Sequence, residues 1–362
     1  VQLLVNGEAA FPAIINHIDQ AKTSIQIRMF VWRDDTIGNL VLQHLYEASQ
    51  RGVSITIWKD RYAEILEKGE ENKQSLFHKS YTPLSLLGTM ILDIGYPMNK
   101  PKGYRQKKNV LLETFLAQKN VTVYSKTTRN HSKFYLFDDS VLIFGGINIE
   151  DKEYTVDYSN RRYHDYMVLL SEQDFIQQFK EQFFEELESS IPYETFVINR
   201  GRQGQIAQSM IQMIDQAKDQ IIITMAYLSA KSCLEALKRA ASRGVKIDIF
   251  TSEYANLQKD YNRFFLKQLY QHHPEGVVIR LGSQMVHGKL LLCDQTLSIG
   301  SANMNNKGFY KLGECNFVTQ NPAIIQQVLE SRARECIDAK IVKDAKELSY
   351  SKFRAYFEYF AT

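Results

Sequence analysis

The sequence predicts an α/β fold made of two similar α/β domains with mixed, largely parallel sheets flanked by helices. Three observations predict it: a segment that recurs in both halves, the same order of helix and strand signals after each copy, and a polar motif found once per copy. At 362 residues the chain is long enough for two domains, each with its own hydrophobic core. The division is expected between residues 1–195 and 196–362.

The repeat begins with Ile18-Asp19-Gln20-Ala21-Lys22, which returns as Ile214-Asp215-Gln216-Ala217-Lys218. An apolar run of strand character follows each copy, IQIRMFVW from Ile25 and IIITMAYL from Ile221. Next come helix-like stretches with apolar residues at helical spacing: Leu40, Leu42, Leu45 and Ala48 in one half, Leu234, Leu237 and Ala241 in the other. Each stops at Arg-Gly-Val (Arg51 to Val53, Arg243 to Val245), where glycine suits a left-handed helix end. A second strand then follows, SITIW or KIDIF. Helix, strand, helix, strand in the same order twice reads as duplication.

Composition excludes several classes. With 44% hydrophobic and 23% charged residues the chain is neither disordered nor fibrous, and a net charge of +3 permits an anionic partner without demanding one. The cysteines Cys233, Cys293, Cys315 and Cys336 match no zinc spacing and no dense disulfide framework, so they read as reduced, packed side chains. No apolar run reaches the roughly 20 residues needed to span a bilayer, and no signal-peptide pattern opens the chain. A cytoplasmic or peripheral-membrane location fits this pattern.

The halves differ in length. Val53 to His131 spans 78 positions, whereas Val245 to His287 spans 42, so the first half carries about 36 extra residues, roughly 62–101. They hold an apolar patch, Leu84 to Tyr96, followed by Lys100, Lys102, Arg105, Lys107 and Lys108. A long insertion of this kind suits a lid or a membrane-facing loop, and packing of the patch on the core is the alternative.

The decisive feature is His-x-Lys-x-x-x-x-Asp, present as His131, Lys133 and Asp138, and again as His287, Lys289 and Asp294. A given histidine meets this pattern by chance less than roughly one time in a hundred. Both copies open an apolar run of strand length, end at a turn, and lead through a second short run to Gly145-Gly146-Ile147-Asn148 or Gly300-Ser301-Ala302-Asn303. Alternation along a strand points His and Lys to one side and the aspartate to the other. Asp138 and Asp294 therefore belong to the catalytic motif by position, and to its turn by geometry. Small-residue turns let backbone approach an anion, which makes Asn148, Asn303 and Ser301 candidate phosphate binders. One carboxylate per half follows at an equivalent place, Asp165 and Glu314, suited to orient an imidazole.

The doubled motif, with its Gly-Gly/Ser-x-Asn sequel, resembles the phospholipase D superfamily over nearly the whole chain. Gln2 to Gly7 and Arg33-Asp34-Asp35-Thr36-Ile37-Gly38 are most similar to its cardiolipin synthase branch. The resemblance implies the phospholipase D fold, two domains related by a pseudo-twofold axis with both motifs meeting at the interface. It also implies the reaction: one histidine attacks phosphorus to form a covalent phosphohistidine while the other protonates the leaving alcohol, after which water or a small alcohol accepts the group. His131 is expected as nucleophile and His287 as acid. Two lysines supply the positive charge that a metal supplies elsewhere, so this reading calls for no metal and no cofactor. The expected partner is a phospholipid or membrane surface. A nuclease acting on nucleic acid is the alternative, with Tyr154, Tyr158, Arg161, Arg162 and Tyr163 as its stacking platform.

Overall fold

The computed structural model describes residues 1–70, 75–77, 83, 86–90, 108–154, 163–187, 194–201 and 203–361. In the first half run β1 (Gln2–Val5), β2 (Ser24–Met29), β3 (Ser54–Asp60), β4 (Val121–Lys126), β5 (Phe134–Phe137), β6 (Val141–Gly145), the short β7 (Tyr163–His164) and β8 (Tyr166–Leu170). The second half supplies β9 (Thr195–Asn199), β10 (Gln220–Met225), β11 (Lys246–Ser252), β12 (Val277–Gly282), the short β13 (Met285–Val286), β14 (Lys289–Cys293), β15 (Thr296–Gly300), β16 (Glu314–Thr319) and β17 (Lys340–Ile341). Among the described residues they build one sheet in the order β1-β8-β6-β5-β2-β3-β4 and another in the order β17-β12-β11-β10-β14-β15-β16-β9.

Both sheets are mixed and flanked by helices, as expected, but parallel pairing is confined to one trio in each. These are β2, β3 and β4 in the first sheet and β10, β11 and β12 in the second. The repeat signals lie on those trios, where helices Thr36–Gln50 and Lys231–Ser242 make the crossovers. The remaining strands, which include both motif hairpins, pair antiparallel. Both predicted helix stops are met: Gly52 and Gly244 take φ of 89° and 87°.

Period-two alternation sorts the central strands between two layers. Tyr135 and Phe137 of β5 pack under the helices of the first half, and Leu291 and Cys293 of β14 under those of the second. Their alternates, Phe134, Leu136, Leu290 and Leu292, join Phe144, Phe196 and Phe317 in an apolar layer between the sheets. Phe144 there meets Phe196 at 5.4 Å and Phe317 at 6.1 Å. The four cysteines are free and three of them are buried, in keeping with their reading as packing residues.

Asp138 and Asp294 act at the turns, not in the site. Asp138 accepts the backbone N–H groups of Lys22, Thr23 and Ser24, and Asp294 those of Lys218, Asp219 and Gln220. Each ties its hairpin turn to the chain entering β2 or β10. The first turn runs over Asp138, Asp139 and Ser140 and the second over Asp294 and Gln295 alone, with φ near 50° at all three aspartates. Asp138→Ala is expected to lower stability by about 1–3 kcal/mol, since it strands several backbone donors. Its kcat should stay within about threefold of wild type, measured by urea unfolding beside a turnover assay.

The apolar patch of the insertion falls largely outside the described residues, as do Lys100, Lys102, Arg105 and Lys107. Of the described part, Leu86, Leu87 and Met90 are exposed and do not pack on the core, while Lys108 pairs with Glu113 at 2.9 Å. No described helix is long and apolar enough to cross a membrane.

Candidate active site

Each motif histidine lies just before its central strand. β5 starts at Phe134 and β14 at Lys289, so the strands begin later than the alternation argument assumed. The histidines sit instead on extended backbone that crosses to the other half. The His131 N–H donates to the Gly313 carbonyl at 2.6 Å, and the His287 N–H to the His164 carbonyl at 2.7 Å. Gly313 precedes Glu314 and His164 precedes Asp165, so each carboxylate arrives beside the histidine of the opposite half. His131 Nδ1 lies 3.0 Å from Glu314 Oε1, and His287 Nδ1 lies 2.7 Å from Asp165 Oδ2. The parallel β7–β13 pair carries the second of these crossings.

The lysines curl back onto their own motifs. Lys133 Nζ donates to the His131 carbonyl at 2.6 Å. Lys289 Nζ donates to Asp165 Oδ2 at 2.9 Å and to the His287 carbonyl. Both are at most 2% exposed, so they bring positive charge into a region shut off from bulk water. The motifs lie within each other's field: Lys289 pushes His131 down and Lys133 does the same to His287.

Burial is the largest influence on these groups. It lowers His131 against the opposing pull of Glu314. It also takes His287 down to about 4, helped by Lys289 and resisted by Asp165. Lys133 falls to about 7 through burial, with Glu314 opposing and Lys289 assisting. Burial alone would raise Asp165, but the Lys289 ammonium and the His287 hydrogen bond bring it to about 2. Without substrate both imidazoles are neutral at pH 7. Each can donate Nδ1–H to its carboxylate and keep Nε2 for chemistry.

The anion-binding candidates divide. Asn148 Oδ1 accepts from the Val31 N–H at 3.2 Å, which leaves its amide N–H group to point elsewhere. Asn303, its counterpart in the second half, has a buried Oδ1 with no hydrogen-bond partner among the described residues. The Ser301 hydroxyl is engaged within the protein. It donates to Glu314 Oε2 at 2.5 Å and accepts the Cys315 N–H at 3.1 Å, so it steadies the carboxylate of His131. Gly146 is needed for space, because a Cβ there would lie 2.3 Å from Asp165 Oδ1.

Glu153 is a residue that sequence reasoning missed. Buried, and 3.7 Å from His287 Nδ1, it is raised well above the usual carboxyl range by burial and by the neighbouring Asp165 and Glu150. It lies in a polar, tyrosine-rich stretch with no motif spacing to mark it. Ligand-type atoms of Glu153, Asp165 and His287 all lie within 4.8 Å of one another, a grouping that could hold a cation. The Lys289 ammonium, 2.9 Å from both Asp165 and His287 Nδ1, already serves that group as its cation.

The proposed stacking platform is not formed by its described members. Tyr154 packs edge-on against Phe11 at 5.5 Å. Tyr163 is buried against His287 at 5.0 Å, with its hydroxyl accepting from Asn256. Tyr158, Arg161 and Arg162 lie outside the described residues.

Comparison with known proteins decides the family. The profile described as "Cardiolipin synthase, PLD-like domain" matches residues 14–187 and 210–334, most of the chain. The chain belongs to that family. This phospholipase D-like protein is 24% identical to cardiolipin synthase B of Escherichia coli K12 over 331 residues, covering 84% of this chain and 72% of that one. It is 23% identical to cardiolipin synthase B of Salmonella typhimurium over 376 residues, with 97% and 82% covered. Its fold matches the crystal structure of phosphatidylserine synthase from Haemophilus influenzae Rd KW20 at a TM-score of 0.73, with 12% identity and 98% and 91% of the chains covered. It is an enzyme of the phospholipase D type, a phosphodiesterase or phosphatidyltransferase.

The lowered groups fix the expected pH profile of this phospholipase D-like site. The resemblance implies a productive free enzyme with one neutral histidine and one protonated one, and both are held below their ordinary 6.5. Deprotonation of Lys133 near 7 works in the same direction. The kcat/KM profile on a soluble phosphodiester with an alkyl leaving alcohol, which needs its proton from the acid, should therefore centre below pH 6.5 and fall towards pH 8. A plateau or maximum at pH 8 would contradict this electrostatic picture.

Proposed function

We propose that the chain transfers a phosphatidyl group between alcohols, or to water, through a phosphohistidine, in the manner that the names of its cardiolipin synthase relatives suggest. The carrying observation is the exchange of carboxylates between halves: two buried imidazoles, each with Nδ1 tied to an acid of the opposite half, present two Nε2 atoms for opposite tasks. His131 Nε2 attacks phosphorus and the bond from phosphorus to the leaving oxygen breaks. The imidazolium of His287 gives its Nε2 proton to that oxygen. The acceptor alcohol or water then loses its proton to His287 and attacks phosphorus, and the P–N bond to His131 breaks.

Charge explains how His287 comes to be protonated although it is held near 4 in the free enzyme. Lys133 and Lys289 depress it, and an incoming phosphodiester brings the negative charge that offsets them. Lys133, Lys289, Asn148 and Asn303 are the residues proposed to hold the equatorial oxygens. In this reading residues 1–195 and 196–362 are two domains sharing one site, and the substrate is drawn from a phospholipid surface.

The test is incubation with phosphatidylglycerol vesicles, with and without added ethanol, followed by lipid mass spectrometry. Exchanged lipid that appears with the alcohol supports transfer, and free headgroup alone supports hydrolysis. Failure to alter any phospholipid, together with cleavage of single-stranded DNA, would replace this reading with the nuclease.

A further inference from the structure

Asp165 is flanked by two side chains that leave the backbone on its other side, since neighbours along an extended chain oppose each other. They are His164 and Tyr166, both buried. Each reaches Glu335, at the end of helix Pro322–Glu335 in the second half. His164 Nε2 lies 2.8 Å from Glu335 Oε2, and the Tyr166 hydroxyl donates to the same oxygen at 2.5 Å. The Ser331 hydroxyl, one turn earlier, donates to Oε1, and His164 Nε2 is also 3.0 Å from the Tyr166 hydroxyl. Burial alone would raise Glu335, but its hydrogen bond to His164 and the other donors hold it below the usual range, as an ionised acceptor.

Two further contacts tie this cluster to the second motif. A Cβ at Gly288 would lie 2.8 Å from Tyr166 Cε2, so the backbone between His287 and Lys289 rests on the tyrosine ring. Arg332, on the same helix, sits over Phe250 at 5.8 Å and donates to Asp248 and Thr224, which fixes the helix end from which Glu335 projects. Among the described residues the flanks of Glu314 have no such clamp. Glu314 is flanked by Gly313 and Cys315, and the Ser301 hydroxyl of the preceding strand's end holds it instead.

We propose that Glu335 is a positioning residue for His287. It grips His164 and Tyr166 from the second half and so fixes the backbone that delivers Asp165 to His287 Nδ1. The clamp breaks the symmetry of the two centres and places the more firmly held imidazole in the second motif. The inference rests on the acid–base role of His287 given above.

The experiment compares Glu335→Leu, Glu335→Gln and Tyr166→Phe in the full chain, with bis(p-nitrophenyl) phosphate as the turnover probe. It also records the imidazole 15N resonances of His287 and His131. Glu335→Leu is expected to lower kcat about 10–100-fold with KM within about twofold, as loss of an outer partner of a functional group commonly does. It should move the His287 resonances and leave those of His131 in place. Glu335→Gln should recover part of the loss, because its amide oxygen still accepts from Tyr166, and Tyr166→Phe should lose less than Glu335→Leu. A folded Glu335→Leu protein with wild-type kcat and unmoved His287 signals overturns the inference, as does equal movement of both histidines. Should that variant not fold, Glu335→Gln and Tyr166→Phe decide by the same two readouts. A wild-type protein inert to the probe, in which Glu335 variants still shift His287 selectively, would strike the proposed reaction and leave the positioning role standing.

Discussion

His131→Ala is expected to reduce kcat on any phosphodiester substrate by about 10⁴-fold or more while leaving the protein folded. The imidazole makes the proposed covalent bond, and neither Lys133, whose ammonium is turned onto the backbone of the motif, nor a solvent molecule can replace it at comparable geometry. Folding should tolerate the change because Glu314 keeps its bond from Ser301. His287→Ala supplies the contrast. With a p-nitrophenyl ester the leaving oxygen needs no proton, so a phosphoenzyme should still form in His287→Ala and accumulate, because its breakdown lacks a base. Protein from His287→Ala, denatured and kept at alkaline pH where a P–N bond survives, should carry one phosphoryl adduct by mass spectrometry and protein from His131→Ala none. The reverse pattern would exchange the two roles.

Asp165→Asn is expected to have the second largest effect, a loss of about 10³-fold or more in kcat combined with a stability loss of about 3–5 kcal/mol. The carboxylate serves two partners in one buried place, the His287 Nδ1–H at 2.7 Å and the Lys289 ammonium at 2.9 Å. An amide of the same shape offers one oxygen and can turn its NH₂ towards either partner, which favours the wrong imidazole tautomer. It also leaves a buried ammonium without its anion. Because the Asp165 charge raises His287, its removal should push that imidazole further down and move the proton-dependent limb of the pH profile to lower pH. Urea unfolding and a pH series on a soluble phosphodiester with an alkyl leaving alcohol measure the two effects separately. Wild-type stability in the variant would mean that Lys289 finds another acceptor.

The duplicated order of helix and strand was legible because it rests on local signals: apolar periodicity, two glycine stops and a repeated pentapeptide. Strand direction was not. The crossovers suggested parallel sheets, but the motif hairpins turn back within two or three residues, and such short connections pair antiparallel. Motif spacing also located His131, Lys133, His287 and Lys289, and strand position located Asp165 and Glu314. What spacing could not convey is which carboxylate serves which histidine, because that depends on contacts 183 and 122 residues apart in sequence. The bond from Ser301 to Glu314 was hidden for a related reason. A hydroxyl in a small-residue turn looks free to bind an anion until the strand beside it brings Glu314 within reach. Glu153 and Glu335 left no signal, since the groups they meet at the second centre, His287 for the one and His164 and Tyr166 for the other, lie far away in sequence.

Because each acid–imidazole dyad straddles the seam between the sheets, reactivity exists only in the docked molecule. A half chain of this protein would own two incomplete dyads and no complete one. The aromatic layer of Phe144, Phe196 and Phe317 is thereby a control on chemistry as well as on cohesion. Slippage there by about 1 Å would misalign both dyads together and cost on the order of 10²-fold in rate. Substitutions far from phosphorus can then behave like lesions at it, and the two centres should lose function in step.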